Sequence, residues 1–152
     1  MTQRSGATIA VLGGNGVYAR HLIPRLAAGG FRVRVVDTTV FVPWFFADSA
    51  FDSFILIKNT TSAAHNVTVT LFSTTGTPAA PAQSTLVAAN GNYTLQVSLP
   101  PPMGFGVSSA AGGVQIAHDG PPGSLLSSVL SLSFDNGMSF DTPGSPRQDF
   151  RR

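Results

Sequence analysis

The sequence of 152 residues contains no cysteine, no glutamate and a single lysine, Lys58. Without cysteine there is no disulfide framework and no thiolate metal site. Charged residues make up 11% of the chain, well under the usual level of about a quarter, and long exposed helices normally carry Glu and Lys. The composition therefore argues against long solvent-exposed helices, whereas 43% hydrophobic residues at this length favour one domain with a substantial core.

The few charges are concentrated towards the two ends of the chain. Arginines dominate the stretch before Asp37 and the tail from Arg147, whereas residues 59–118 contain no Asp, Glu, Lys or Arg. No basic run with interleaved aromatic residues occurs. Nucleic acid is therefore not a predicted partner.

No apolar run is long enough to span a bilayer, so no transmembrane segment is predicted. Residues 7–19 follow Arg4 as the core of a signal peptide would, but the glycine-rich run from Gly13 to Gly16 interrupts them. A signal peptide is therefore not predicted. The β-rich remainder suggests an extracellular or cell-surface location, and the sequence itself leaves the compartment open.

The first 37 residues have the order of a dinucleotide-binding unit. An apolar strand (residues 8–12) leads into a glycine-rich turn, then a helix to Ala28, a second strand (residues 31–36) and an acid. Glycines let the backbone approach a pyrophosphate at the helix N-terminus, and an acid after the second strand can accept from a ribose hydroxyl, which favours NAD over NADP. The candidate cofactor-binding residues are Gly13, Gly14, Asn15, Gly16, Val17 and Asp37.

This stretch, GGNGVYARHLIPRLAAGGFRVRVVD, resembles the first βαβ unit of the atypical (extended) short-chain dehydrogenase/reductases. The resemblance covers residues 8–37 and implies an NAD(P)-binding Rossmann unit. The family's catalytic Tyr-x-x-x-Lys is absent, because Leu22 and Val97 stand four residues after Tyr18 and Tyr93. Catalysis of the family's reaction is therefore not expected, and a structural role for this arm is favoured over a working cofactor site. Fusion of the arm to an unrelated domain is a further alternative.

From Thr39 onward, alternating apolar and polar residues separated by turn residues predict short β-strands. Asn90-Gly91 predicts a hairpin turn between two of them. The predicted strands before the last hairpin are residues 39–46, 53–58, 66–72, 84–88, 93–99, 106–109 and 114–117.

Residues 123–142 predict a final β-hairpin. Leu126, Leu130 and Leu132 alternate with small polar residues, so we expect the leucine side of the strand to be its buried side. Asn136-Gly137 predicts a tight turn with two positive φ angles.

The predicted fold is mainly β: an antiparallel β-sandwich from about Val40 to Gly144, preceded by a short Rossmann-like βαβ arm. The predicted domains are residues 1–37, the arm; 38–146, the β-sandwich; and 147–152, a basic tail. The sandwich region resembles β-sandwich modules of secreted bacterial proteins, of generally unknown function. That resemblance implies a surface or interaction role, and it rests on three pieces: VFVPWFFADSAFDSFILIKNTT, NVTVTLFSTTGTP and HDGPPGSLLSSVLSLSFDNGMSFDTPG.

No catalytic or metal site is predicted. His21, His65 and His118 have no ligand spacing, and His65 and His118 are expected in loops. No G-x-S-x-G motif is present, and the pair Asp48 and Asp52 matches no ordered calcium loop. Asn59, Asn66 and Asn92 begin N-x-T triplets of the glycosylation type, and the run from Trp44 to Phe46 is either core or an exposed platform.

The predicted function is a non-enzymatic structural or interaction module without a cofactor, with NAD(P) binding as the alternative. The uncharged stretch 59–118 leaves its predicted strands without the charges that normally guard sheet edges. Self-assembly through sheet edges or faces is therefore expected, and the predicted partner is a second copy of the chain or another protein.

Overall fold

The computed structural model describes residues 8–12, 17–36 and 38–146. The chain divides into two compact units, Met1–Thr38 and Thr39–Arg152. The predicted glycine-rich turn, Asp37 and the basic tail lie outside the described residues. In chain order the elements are β1 (Thr8–Leu12), α1 (Val17–Ala28), β2 (Arg32–Val36), β3 (Thr39–Ala47), β4 (Phe51–Asn59), β5 (His65–Ser73), β6 (Gln83–Val87), β7 (Asn92–Gln96), β8 (Ala110–His118), β9 (Leu125–Ser133), β10 (Ser139–Pro143) and β11 (Ser145–Pro146).

The first unit is a strand–helix–strand unit. β1 and β2 pair in parallel, with Thr8 opposite Arg32. The helix between them ends as expected at the glycine pair: Phe31 N donates to Leu26 O at 3.2 Å, and Gly30, with φ 81°, provides the left-handed residue that this cap requires. Among the described residues no helix is long and apolar enough to cross a membrane.

The second unit is an antiparallel β-sandwich, as predicted. One sheet has four strands in the order β10-β9-β4-β7, and the other has five in the order β11-β3-β8-β5-β6. Phe45 and Ile116 from the five-stranded sheet join Ile55 and Leu95 from the four-stranded sheet in one buried cluster. Burial of these side chains on both inner faces is the main force that holds the sheets together.

A β-bulge in β3 resets which of its residues are buried. Val42 pairs with Val114 and Phe45 with Gly112, so Pro43 and Trp44 stand opposite a single residue of β8. Val40 and Val42 are buried before the bulge, whereas Phe45 and Ala47 are buried after it. Proline suits this position because it has no N–H to donate to the ladder.

The two sheets are also joined by a buried hydrogen-bonded network. Ser53 Oγ on β4 accepts from the backbone N–H of Phe46 at 2.9 Å and lies 2.7 Å from that residue's carbonyl oxygen. It is also 2.8 Å from Ser131 Oγ on β9. Ser53 and Ser131 are both almost fully buried. Because each hydroxyl has a partner, two serines occupy the sandwich interior without an unpaired polar group.

The predicted hairpin at Asn90-Gly91 is wrong. β6 pairs with β5 in the five-stranded sheet, whereas β7 pairs with β4 in the four-stranded sheet. Asn90 has a positive φ of 53°, and Gly91 N bonds to Ala88 O at 2.9 Å, so the residues do form a turn. That turn carries the chain from one sheet to the other, which local turn chemistry cannot distinguish from a hairpin.

Two further strand predictions need correction. Residues 106–109 form no strand, and β7 ends at Gln96 rather than at Leu99. The final hairpin is present as the pair β9–β10, but its turn is not the predicted one: Ser133 N donates to Met138 O across a loop of residues 134–137. Of Asn136 and Gly137 only the glycine has a positive φ, at 69°.

We predict that Gly112→Ala destabilises the sandwich far more than Gly113→Ala. A Cβ on Gly112 would lie 1.9 Å from the carbonyl oxygen of Phe72, whereas one on Gly113 would lie 3.4 Å from that of Val42. The neighbouring backbone must therefore move apart in the first variant but not in the second. We expect the free energy of unfolding to fall by on the order of 2 kcal/mol or more in Gly112→Ala, as measured by denaturant unfolding. Equal unfolding curves for the two variants would contradict the close approach of β5 and β8.

Candidate interaction surface

The outer side of the four-stranded sheet is apolar at its centre, because of the register between β4 and β9. Directly paired residues share a face of a sheet. Leu130 pairs with Phe54 and Leu132 with Asp52, whereas Ser131 pairs with Ser53 and Val129 with Ile55. Val129, Ile55 and the two serines are buried in the interior. The leucines therefore point outward.

This orientation is the reverse of the sequence-based expectation for β9. Leucine and serine alternate along the strand as predicted, but the serine side faces the core. The interior accepts Ser131 because its hydroxyl lies 2.8 Å from Ser53 Oγ, and Val129 provides the buried apolar contact. A small hydroxyl with a partner costs little to bury, so the rule that the more apolar side is the inner side fails here.

The outward residues form a continuous surface that we call the leucine face. Leu126 is 63% exposed and Leu56 is 37% exposed, and three half-buried side chains lie beside them. Near one end, the hairpin loop adds exposed Phe134 and Met138. The leucine face consists of Phe54, Leu56, Leu126, Leu130 and Leu132. Large contiguous apolar patches are uncommon on the surfaces of monomeric proteins, so the leucine face is a candidate contact site.

Two opposite charges flank the leucine face. Lys58 on β4 pairs with Leu126, and Asp141 on β10 pairs with Leu130, so both residues lie on the outer side of the sheet. Lys58 Nζ donates to the carbonyl oxygen of Asn90 at 2.5 Å, which anchors the ammonium at the β7 side. Asp141 is exposed at the β10 side. The apolar centre therefore has a positive charge on one flank and a negative one on the other.

Asp52 is also on this sheet, but it is a structural carboxylate. It is 2% exposed, and it accepts from Gln96 Nε2 at 2.8 Å, from Ser98 Oγ at 2.5 Å and from the backbone N–H of Ser53 at 2.8 Å. Asp48 Oδ1 accepts from the backbone N–H groups of Ala50 and Phe51, both at 2.8 Å. Both carboxylates are thus used by the fold.

Thr61, His65 and Asp119 are connected in the order of a hydroxyl–imidazole–carboxylate triad. Thr61 Oγ1 is 2.9 Å from His65 Nε2, and His65 Nδ1 is 3.4 Å from Asp119 Oδ1. The hydroxyl, however, also faces two acceptors, Asn59 Oδ1 at 2.9 Å and Ala63 O at 3.1 Å. It closes the turn between β4 and β5, and the imidazole packs closely against Gly120. These contacts describe a brace between two loops rather than an activated nucleophile.

Both histidines in this unit differ from expectation, because His65 lies on β5 and His118 on β8, and both are buried. The side chain of His21 is outside the described part of α1. Among the described residues no group of three or more His, Asp or Glu side chains is placed to hold a metal ion.

The three N-x-T asparagines occupy different environments. Asn59 is fully buried; its Nδ2 donates to the carbonyl oxygens of Ala63 and Ala88 at 2.7 and 3.0 Å, and its Oδ1 accepts from Thr61 N at 2.9 Å. Asn66 Nδ2 donates to Asp119 Oδ2 at 2.7 Å. Asn92 is exposed. Asn59 is therefore a structural residue, which braces the end of β4 against the crossing after β6.

The aromatic run 44–46 is split between core and surface. Phe45 is fully buried, whereas Trp44 is 41% exposed and stacks edge-on against Phe46 at a centroid distance of 5.1 Å. Phe46 also contacts Phe51 and Phe140, each at 6.1 Å. Successive residues of a strand point to opposite sides, which separates Trp44 from Phe45, and the bulge determines that Phe45 is the one that faces the core.

Of the predicted cofactor-binding residues, Gly13, Gly14, Asn15, Gly16 and Asp37 lie outside the described residues. Val17 is the first residue of α1. The leucine face, in contrast, was missed by sequence reasoning. The alternation of β9 shows that the leucines share one side of the strand. Whether that side faces the core or the solvent is determined by the residues of β4 with which they pair.

Comparison with known proteins yields a likeness of fold. No known family model matches the chain, and no curated protein matches it in sequence. A solved structure described as "Crystal Structure of Thermotoga maritima 1070" is similar, with a TM-score of 0.56 and 10% sequence identity over 72% of this chain and 94% of that one. At this identity the likeness concerns the fold alone.

We predict that Asp119→Asn lowers thermal stability near neutral pH and has little effect in acid. The hydrogen bond from Asn66 Nδ2 holds the pKa of Asp119 below its usual value of 3.8, with smaller contributions from the Asn66 backbone N–H and from His65. A carboxyl group whose pKa is lower in the folded than in the unfolded protein stabilises the fold at pH values above its usual pKa. This contribution is lost as the pH falls through the lowered pKa.

The measurement is the melting temperature of both proteins between pH 7 and pH 2. The difference between them should shrink below about pH 4. Asp135→Asn, in the exposed loop after β9, is the matched control and should melt like the unchanged protein. A difference for Asp119→Asn that is constant with pH would contradict the proposed contribution of the ionised carboxylate.

Proposed function

We propose that the chain is a non-enzymatic β-sandwich interaction module that self-associates through the leucine face. The observation that supports this most directly is the exposure of Leu56 and Leu126 on the two inner strands of the four-stranded sheet. Removing apolar area from water contributes about 25 cal/mol per Å², so burial of such a face against a partner is favourable. A surface location, suggested by the resemblance to secreted modules, forms part of the same proposal.

The proposed partner is a second copy of the chain, and the argument for it is charge complementarity. The leucine face carries Lys58 on one flank and Asp141 on the other. When two copies pack face to face about a two-fold axis, each lysine can approach the aspartate of the other copy. One chain therefore supplies both halves of the contact, as an isologous interface requires. A strongly basic partner would repel Lys58, and a strongly acidic partner would repel Asp141.

The four-stranded sheet is a rigid base for this contact. β4 is paired on both sides, to β9 over nine residues and to β7 over five. The carboxylate of Asp52 ties β4 to the chain after β7 through Ser98 Oγ. A preformed face loses little conformational entropy when it binds.

A second candidate function is NAD binding by the first unit. The supporting observation is the parallel pair β1–β2 with α1 between them, which is the connection that the dinucleotide-binding fingerprint requires. The residues that would contact the cofactor in this proposal are those of the fingerprint: Gly13, Gly14, Asn15, Gly16, Val17 and Asp37.

For self-association through the leucine face, we predict that Leu126→Lys weakens the contact. The variant would bury a charge without a partner, so the free energy of association should weaken by on the order of 1–3 kcal/mol. The measurement is sedimentation equilibrium of the full chain over a concentration series. Met103→Lys is the control, because Met103 is 64% exposed on the turn beside β7 and is not part of the leucine face.

Charge exchange then tests the identity of the partner. Lys58→Asp and Asp141→Lys should each weaken the association, and the two changes combined should restore it, because the complementary pair is rebuilt with its signs reversed. Wild-type association in Leu126→Lys, or a monomeric wild-type protein at high concentration, would contradict the proposed interface.

The prediction for the second candidate is micromolar binding of NAD in calorimetric titration, lost in Gly14→Asp and in Gly16→Asp. Either side chain would place a carboxylate where the pyrophosphate approaches. Ser62→Asp adds the same charge at an exposed position of the second unit and should leave the titration unchanged. Heat of binding that is equal in all four proteins, or absent from the unchanged chain, would reject the NAD site.

A further inference from the structure

The five-stranded sheet has an open edge at β6. In the strand order β11-β3-β8-β5-β6, β6 is the terminal strand, and its pairing partner among the described residues is β5. Its sequence, QSTLV, contains no charge and no proline. A terminal strand presents a row of backbone N–H and C=O groups, which can pair with another strand.

The other three sheet ends carry the features that normally block such pairing. β11 has two residues and ends in Pro146, and β10 contains both Asp141 and Pro143. At β7 the neighbouring loop is already hydrogen-bonded to the open edge: Gln96 N donates to Met103 O at 3.0 Å, and Gln96 forms a β-bridge with Gly104. β6 is therefore the least protected of the four ends.

The side chains of β6 suit a contact with an uncharged strand. Leu86 is 62% exposed and Ser84 is exposed, whereas Val87 is buried beneath them in the core. Ser84 Oγ lies 2.9 Å from Thr68 Oγ1 on β5, so the outer surface next to the edge consists of small hydroxyls and one leucine. Nothing on this strand repels another copy of itself.

We propose that β6 pairs in antiparallel orientation with β6 of a second copy, so that the five-stranded sheets of two chains form one continuous sheet. An antiparallel pair of identical strands places each N–H opposite a C=O about a two-fold axis. Centred on Thr85, the pairing sets Leu86 beside Ser84 of the other copy on the outer surface and joins two uncharged strands. This contact lies on a different sheet from the leucine face and does not depend on it.

Two separate two-fold contacts on one chain have a structural consequence. A single such contact closes a dimer, whereas two of them in different places link dimers to each other and extend the assembly. The protein as it exists should therefore form species larger than a dimer as its concentration rises.

The experiment is sedimentation equilibrium of four full-length proteins: the unchanged chain, Leu86→Lys, Leu126→Lys and the double variant. Lysine at position 86 places like charges near each other across the two-fold axis. The dissociation constant of the edge contact should therefore rise about tenfold or more. Thr70→Lys is the matched control, since it adds the same charge to the same sheet on β5, one strand inside the edge. Circular dichroism checks that each variant is folded.

The expected pattern is larger assemblies for the unchanged chain, a dimer for each single variant and a monomer for the double variant. A dimer for the unchanged chain and for Leu86→Lys, with a monomer for Leu126→Lys, would overturn the edge contact and leave the leucine face standing. The opposite pattern, a monomer for Leu86→Lys and a dimer for Leu126→Lys, would retain the edge contact and reject the face. Equal effects of Thr70→Lys and Leu86→Lys would also overturn the edge pairing.

Discussion

The pairing of β4 with β9 determines which side chains of the four-stranded sheet meet the core and which meet solvent. Nine consecutive residue pairs, from Phe51–Ser133 to Asn59–Leu125, hold these two strands together. A shift of one residue would exchange the two faces of β9, bringing its leucines inward and its serines outward. The buried hydroxyl contact of Ser53 with Ser131 exists only in the observed register, and Ser53 is itself held by its bonds to the Phe46 backbone on β3. Polar contacts in the interior thus specify a register that hydrophobicity alone would not choose.

The same principle applies to the other buried polar residues. Asn59 uses both polar atoms of its side-chain amide: Nδ2 braces β4 against the crossing from β6 to β7, and Oδ1 accepts from the backbone of Thr61. Asp52 binds the segment after β7. Each of these side chains is satisfied by several partners, so its burial costs little and its removal would leave donors or acceptors unpaired. Three residues of types that also occur in functional sites, Asp48, Asp52 and Asn59, therefore serve the fold.

Much of the architecture could be predicted from local patterns. Period-two alternation located β3, β4, β5, β6, β8 and β9, and the antiparallel sandwich followed from their number and spacing. What could not be predicted depends on contacts between distant residues. Asn90-Gly91 forms a turn as expected, but whether a turn joins two strands of one sheet or crosses between sheets depends on which partners are free. Likewise, the sequence of β9 shows two distinct sides, and only Ser53 and Ile55 on β4 decide which is inside. The leucine face was therefore hidden in a correctly recognised pattern.

The position of β4 in the sheet also bears on how the chain reaches its native state. Its neighbour β9 follows in the sequence only after β5, β6, β7 and β8. Closing so long a loop carries an entropic penalty that must be met before the pairing energy is gained, and folds dominated by such contacts form slowly. Until β9 docks, the edge of β4 that it will occupy has unpaired backbone N–H and C=O groups over nine residues. An unpaired central strand can pair with a strand of another chain, so slow docking of β9 prolongs the period in which the unfolded chain is prone to aggregation.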